Sequence, residues 1–316
     1  MSSPLIIDVH MHIFDFKEQG RWAKAQYPGW EFGEGAPPSP YSKYDGDMED
    51  AAATLAEARV SRAVMVYFHL PLIGLQEGID EKRGEVGGEE RAKAVAETDA
   101  SAGEALKKSN VRACLSVKDY PEILPFVSID PWVSEPNETA DHLADLVKNH
   151  GARGVKLHAG SQRFTMDDRR MWPIYDACLQ LDIPIVAHSG RDLGQTQYSD
   201  PRSYQGAYEA FPCLKLVMAH LGNGSCRQTK EVADAFPNAL FDTSEITEWH
   251  GAPLAPTHED LARLIQDIGS DRIMMGTDFP RWSPAHCVQG IMDLPTLSNS
   301  EKEAILGANA ARIIGI

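Results

Sequence analysis

Alternation of strand-like and helical stretches along the chain predicts a closed (β/α)8 barrel of the TIM-barrel class, one domain over residues 1–316. Three observations carry this. Eight apolar runs recur: LIIDVHMH, VSRAVMVYFHL, ILPFVSIDP, GVKLHAG, IPIVAHSG, LKLVMAHLG, NALFDTSE and RIMMGTDFP. Helical patterns separate most of them, which implies parallel strands joined by right-handed crossovers. Ionisable residues also gather at the C-terminal ends of the runs, where barrels of this kind place their active sites. Length alone would permit two ordinary domains.

Taken in order, the first run is followed by a long connection over residues 14–45, with Trp22, Tyr27, Trp30, Phe32 and Tyr41 set among Gly and Pro. Connections beyond roughly 12–15 residues commonly serve as lids or binding loops, so it is expected to be a lid over the first strand's end, or an aromatic patch covering the barrel or a neighbouring subunit. An alanine-rich helix is expected over residues 47–59 before the second run, and another over residues 89–106 after a second long connection. Further helices are expected over residues 138–149, 167–181, 204–211, 227–236, 258–268 and 300–314, between or after the later runs.

Composition narrows the partners. With 43% hydrophobic and 24% charged residues, the chain is an ordinary globular protein, and a formal charge of -16 argues against nucleic acid or an anionic membrane. The five cysteines are odd in number and show no paired spacing, which suits reduced thiols in the cytoplasm. Neither a signal-peptide pattern nor a run of transmembrane length is seen. A small-molecule substrate is the expected partner.

His10 and His12 lie one residue apart, so an extended strand points both imidazoles to one face. Such a pair is either half of a zinc-type site or two core histidines satisfied by backbone. Later runs favour the metal, because His188, His220 and Asp278 also close apolar strands, and an ionisable group there is costly unless paired or liganded.

The order HxH, His, His and Asp, the last within GTDFP, resembles the amidohydrolase superfamily. More closely, with GVKLHAG, AHLG and the closing LGANAARIIGI, the chain resembles the branch containing aminocarboxymuconate semialdehyde decarboxylase, resorcylate decarboxylase and related hydrolases. The resemblance runs over nearly the whole chain. It implies a single divalent ion, commonly zinc and sometimes manganese, held by His10, His12, His188 and Asp278, with water in an open position. It also implies that His220 acts as acid, base or electrostatic helper beside Asp278, and that the protein is a homodimer or larger assembly.

Other residues are expected around the mouth. Lys156 and His158 share a face of the fourth strand. Lysine at this place is carboxylated in two-metal members of the superfamily. A single-metal site leaves Lys156 cationic, binding a substrate carboxylate or a neighbouring acid, with Asp8 and Asp242 as alternative partners. His158 is expected to contact substrate or support the ligands. Arg191 and Arg281 are candidates for bidentate substrate contact, and His69 for the pocket wall.

The leading expectation is hydrolysis of a small, carboxylated amide, ester or lactone by metal-activated water, with Asp278 taking its proton. The alternative is non-oxidative decarboxylation of an aromatic or unsaturated acid at the same centre. A metal-free, ligand-binding barrel is the reading outside enzymes.

Overall fold

The computed structural model describes residues 5–31, 42–67, 88–133, 135–191, 196–249 and 254–315. All eight expected strands form: β1 (Ile7–Met11), β2 (Arg62–Val66), β3 (Ile123–Ser128), β4 (Gly154–Leu157), β5 (Ile185–Ala187), β6 (Leu216–Met218), β7 (Leu240–Asp242) and β8 (Ile273–Met274). They pair in parallel in the order β1 to β8. The two edges then meet. Val9 N donates to Met275 O at 2.9 Å, Asp278 N to His10 O at 2.8 Å and His12 N to Phe279 O at 2.8 Å. The closed TIM barrel is therefore the observed fold, and its seam runs directly beneath His10, His12 and Asp278.

Packing follows the two-residue period of the strands. Val155 and Leu157 of β4 join the larger buried cluster, and Lys156 between them is sent to the opposite face. Val64, Phe126, Val186, Val217 and Met274 belong to a second buried cluster although they come from strands that are mostly not neighbours in the sheet. Contacts of that kind require a shared barrel interior.

The helices are α1 (Lys17–Glu31), α2 (Met48–Ala58), α3 (Gly88–Ser116), α4 (Pro136–Asp145), α5 (Trp172–Leu181), α6 (Gln205–Ala210), α7 (Cys226–Ala235), α8 (His258–Ile268), α9 (Pro284–Asp293) and α10 (Asn299–Glu303), with short turns between. Their ends have ordinary chemical causes. Asp47 caps α2 by accepting from Asp50 N, and Arg59 closes it in the left-handed conformation. Thr257 caps α8, whose buried Leu261, Leu264, Ile265 and Ile268 form a stripe at helical spacing. Among the described residues, no helix is long and apolar enough to cross a membrane.

Two expectations change. The connection over residues 14–45 contains a 15-residue helix, α1, despite Gly20, Pro28 and Gly29. Tertiary docking outweighs those breakers, since Lys24 Nζ donates to Tyr44 O at 2.5 Å and pairs with Asp45 at 3.0 Å, and Ala23 is buried. The helix expected over residues 89–106 runs on to Ser116. Phe16 and Trp22 lie on the surface, 65% and 52% exposed.

One buried acid in the outer layer has a measurable consequence. Glu248 follows β7, and the backbone of α9 lies so close that a Cβ on Gly290 would stand 2.5 Å from its Oε1. Burial pushes the Glu248 carboxyl up to about 7, and Asp293 nearby adds to the effect. The native state thus keeps this proton up to about pH 7, whereas an unfolded glutamate releases it near about 4.3. The stability that the protonated form contributes is complete at low pH and is lost as pH rises through that interval. Glu248→Gln is expected to match the parent in urea unfolding at pH 4 and to exceed it by about 1–3 kcal/mol at pH 8. The same offset at both pH values would contradict this.

Candidate metal centre

The expected polar residues lie at the C-terminal ends of strands, His10 and His12 at β1, Lys156 and His158 at β4, His188 after β5, His220 after β6 and Asp278 after β8, and Asp242 and Ser244 at the end of β7 join them. His12 Nε2 lies 3.1 Å and His10 Nε2 3.5 Å from Asp278 Oδ1. The donor atoms of His10, His12 and Asp278 all fall within 4.8 Å of one another, a grouping that can hold a metal ion. His188 falls outside that set, yet its Nε2 is buried and has no hydrogen-bond partner.

His10 is gripped at both nitrogens. Nδ1 lies 3.0 Å from Asp242 Oδ2, which as a carboxylate only accepts, so the proton is on Nδ1 and the Nε2 lone pair faces the centre. Lys156 Nζ is 3.0 Å from that Nε2. The expected alternatives of Asp8 or Asp242 as its hydrogen-bond partner are not what forms. Burial draws the Lys156 ammonium down to about 8, against the opposing pull of Asp278, Asp242 and Glu245. The short Gly276 makes room for this packing, because a Cβ there would meet His10 Cβ at 2.8 Å and Ser244 Cβ at 3.0 Å.

The remaining imidazoles form a stack. His158 lies face to face on His188, with centroids 4.1 Å apart and planes 6° apart, and His188 is 4.8 Å from His220. His158 Nδ1 also accepts from Ser161 N. Burial holds His188 down to about 3 and keeps His10, His158 and His220 below the usual imidazole range, so neutral nitrogen donors prevail. Asp278, beside His12 and His10, stays ionised despite its burial. Three imidazole nitrogens and one carboxylate oxygen are a donor set suited to zinc or manganese, and the unpartnered His188 Nε2 is the atom such an ion would satisfy. The residues present therefore fit the expected group.

His220 sits on an unusual turn. His220, Leu221, Gly222 and Asn223 all have positive φ, of 63°, 46°, 81° and 36°. The two non-glycine residues that open the turn are each strained by roughly 1–3 kcal/mol. The surroundings fix it nonetheless: His220 N donates to Asp242 Oδ1 at 2.9 Å, and Asn223 N to His220 O at 2.9 Å.

Of the expected substrate contacts, Arg281 is fully buried, with Nη1 2.5 Å from Glu245 Oε2 and its guanidinium 4.5 Å from the Tyr27 ring of α1. Its charge is thus engaged inside the wall. Arg191 is half-buried, its backbone bonded to Asn223. His69 lies outside the described residues. Sequence reading assigned no role in the site to Ser244, Glu245 or Thr277, which donates to Asp8 Oδ2 at 2.6 Å, and treated Asp8 and Asp242 only as partners for Lys156. The run NALFDTSE, closing on four polar residues, held the available signal.

Against known proteins, residues 84–316 match the amidohydrolase family. The chain belongs to the amidohydrolase family. This amidohydrolase is similar to 2-amino-3-carboxymuconate-6-semialdehyde decarboxylase of Dictyostelium discoideum, 24% identical over 198 residues. That match covers 52% of this chain and 54% of the relative, so it spans about half of each. Its fold is that of a TIM-barrel protein from Bordetella bronchiseptica, at TM-score 0.69 and 20% identity over 98% of both chains. It is also that of a dihydroxybenzoic acid decarboxylase from a Polaromonas species with bound manganese and 2-nitroresorcinol, at TM-score 0.68 and 15% identity, over 99% of this chain and 97% of the other. Family and neighbours agree with the expected class, a metal-dependent hydrolase or carbon–carbon lyase.

Proposed function

We propose that this amidohydrolase is a decarboxylase of a small aromatic or unsaturated carboxylic acid, using one divalent ion held by His10, His12, His188 and Asp278. The observation that carries the reading is the convergence of His10, His12 and Asp278 at the barrel mouth beside a buried lysine, and the unpartnered, buried His188 Nε2 supports adding the fourth. The named decarboxylases among its relatives favour this reaction over hydrolysis. Zinc and manganese both suit the donors.

When bound, the ion supplies Lewis acidity that anchors oxygen substituents of the substrate. Lys156, beside His10 Nε2, has a flexible stem that would let its ammonium turn to the substrate carboxylate. His158, stacked on His188, lines the same space, and Arg191 stands at its rim. Cleavage of the bond between ring and carboxyl carbon leaves an electron pair on the ring carbon. A proton that His220 Nε2 or Asp278 first takes up from solvent is passed to that carbon as carbon dioxide departs, so each turnover consumes one solvent proton. We place the enzyme in the cytoplasm as a homodimer.

Zinc-loaded and manganese-loaded protein should release carbon dioxide from at least one member of a panel of hydroxybenzoates and carboxymuconate-type acids. A lactone and amide panel tested in parallel should give no acid release. Acid release without carbon dioxide would return the assignment to hydrolysis.

A further inference from the structure

We infer that Ser244 is a positioning residue for the proton carrier His220: it locks the imidazole as the tautomer protonated on Nδ1 and so presents the Nε2 lone pair to the substrate. Counting donors and acceptors carries this. Ser244 Oγ lies 2.5 Å from Asp242 Oδ1 and 2.8 Å from His220 Nδ1. Asp242 Oδ1 already accepts from two backbone N–H groups, His220 N and Ser244 N, and so stands as an acceptor toward the hydroxyl as well. The single Ser244 proton therefore goes to Asp242, and Oγ turns an acceptor to His220. Ser244 O, a second pure acceptor, is 3.2 Å from the same Nδ1. The Glu245 carboxylate adds negative charge 3.7 Å from it. A nitrogen facing two acceptors and a carboxylate carries the proton.

Asp242 accepts on the same oxygen from Ser244 N at 3.0 Å and His220 N at 2.9 Å, so the ring, its backbone and the serine are set by one carboxylate. The role of His220 rests on the decarboxylase reading. Its tautomer does not, and that separates the two in the test.

The zinc-loaded protein, labelled with 15N-histidine, should show His220 in long-range 1H–15N spectra as the Nδ1-protonated form, with the signal assigned by its loss in His220→Gln. In Ser244→Ala the backbone carbonyl still competes for the proton, and a mixture of tautomers is expected. A wild-type ring protonated on Nε2, or a pure Nδ1 form unchanged in Ser244→Ala, would overturn the inference, whatever the substrate. On a substrate found active, Ser244→Ala should lower kcat on the order of 10–100-fold with KM and zinc content unchanged. Ser244→Thr, which keeps the hydroxyl, should recover most of kcat. A loss confined to KM, or one shared equally by both variants, would count against it.

Discussion

His188→Ala is expected to give a folded barrel that no longer retains a stoichiometric divalent ion and has lost decarboxylation. His188 offers the centre a neutral nitrogen that nothing else in the described structure engages. Removing a partner behind a ligand typically costs 10–100-fold in metal affinity, and removing the ligand itself should cost at least that. The fold has less to lose. His188 packs as one plate of the stack between His158 and His220, and in the metal-free state its Nε2 is buried without a partner, which is itself unfavourable by about 1–3 kcal/mol. Truncation relieves that cost while opening a cavity, so the melting temperatures of metal-free parent and variant should lie close together. Adding zinc should then raise Tm in the parent, as any ligand specific to the native state does, and leave the variant unmoved. Elemental analysis with thermal unfolding checks both halves. Full metal occupancy in the variant would remove His188 from the ligand set.

Asp242→Ala should act oppositely, striking the fold before the chemistry. Its carboxylate accepts from His10 Nδ1, His220 N, Ser244 N and Ser244 Oγ, tying β1, β6 and β7 at one point. Alanine would strand these buried donors, at about 1–3 kcal/mol each. The combined loss is comparable to the roughly 5–15 kcal/mol that keeps a whole domain folded. Strain stored in the positive-φ turn at His220 would be released rather than held, adding to the loss. The expected outcome is a chain that is largely insoluble or unfolds far below the parent, measured by urea titration. Asp242→Asn, retaining one acceptor oxygen, should fold but bind metal more weakly, because His10 loses the anion that fixes its ring. A stable Asp242→Ala with normal metal content would mean that water replaces the carboxylate, and would demote it from its central place.

The candidate ligands were legible in the sequence because His10 and His12 close the first apolar strand, His188 the fifth and Asp278 the eighth, and a strand end in a parallel barrel points to one mouth. His10, His188, His220 and Asp278 could be placed there without knowing any contact between them. What lay beyond reach were relations across strands. Asp242 stands 232 residues from His10, and no spacing announces that one carboxylate orients two imidazoles. Arg281 reads as a substrate-binding cation until Glu245, 36 positions earlier, is seen to neutralise it. Helix α1 was hidden because Gly20, Pro28 and Gly29 argue for a loop, and only its docking on residues 42–45 decides otherwise.

The grip on His10 bears on how the enzyme is made. Asp242 holds one side of the ring and Lys156 the other, so a newly synthesised chain already has a positive group among the acids of its pocket. Three strands of the barrel, β1, β4 and β7, are thereby fastened to one another through a single ring.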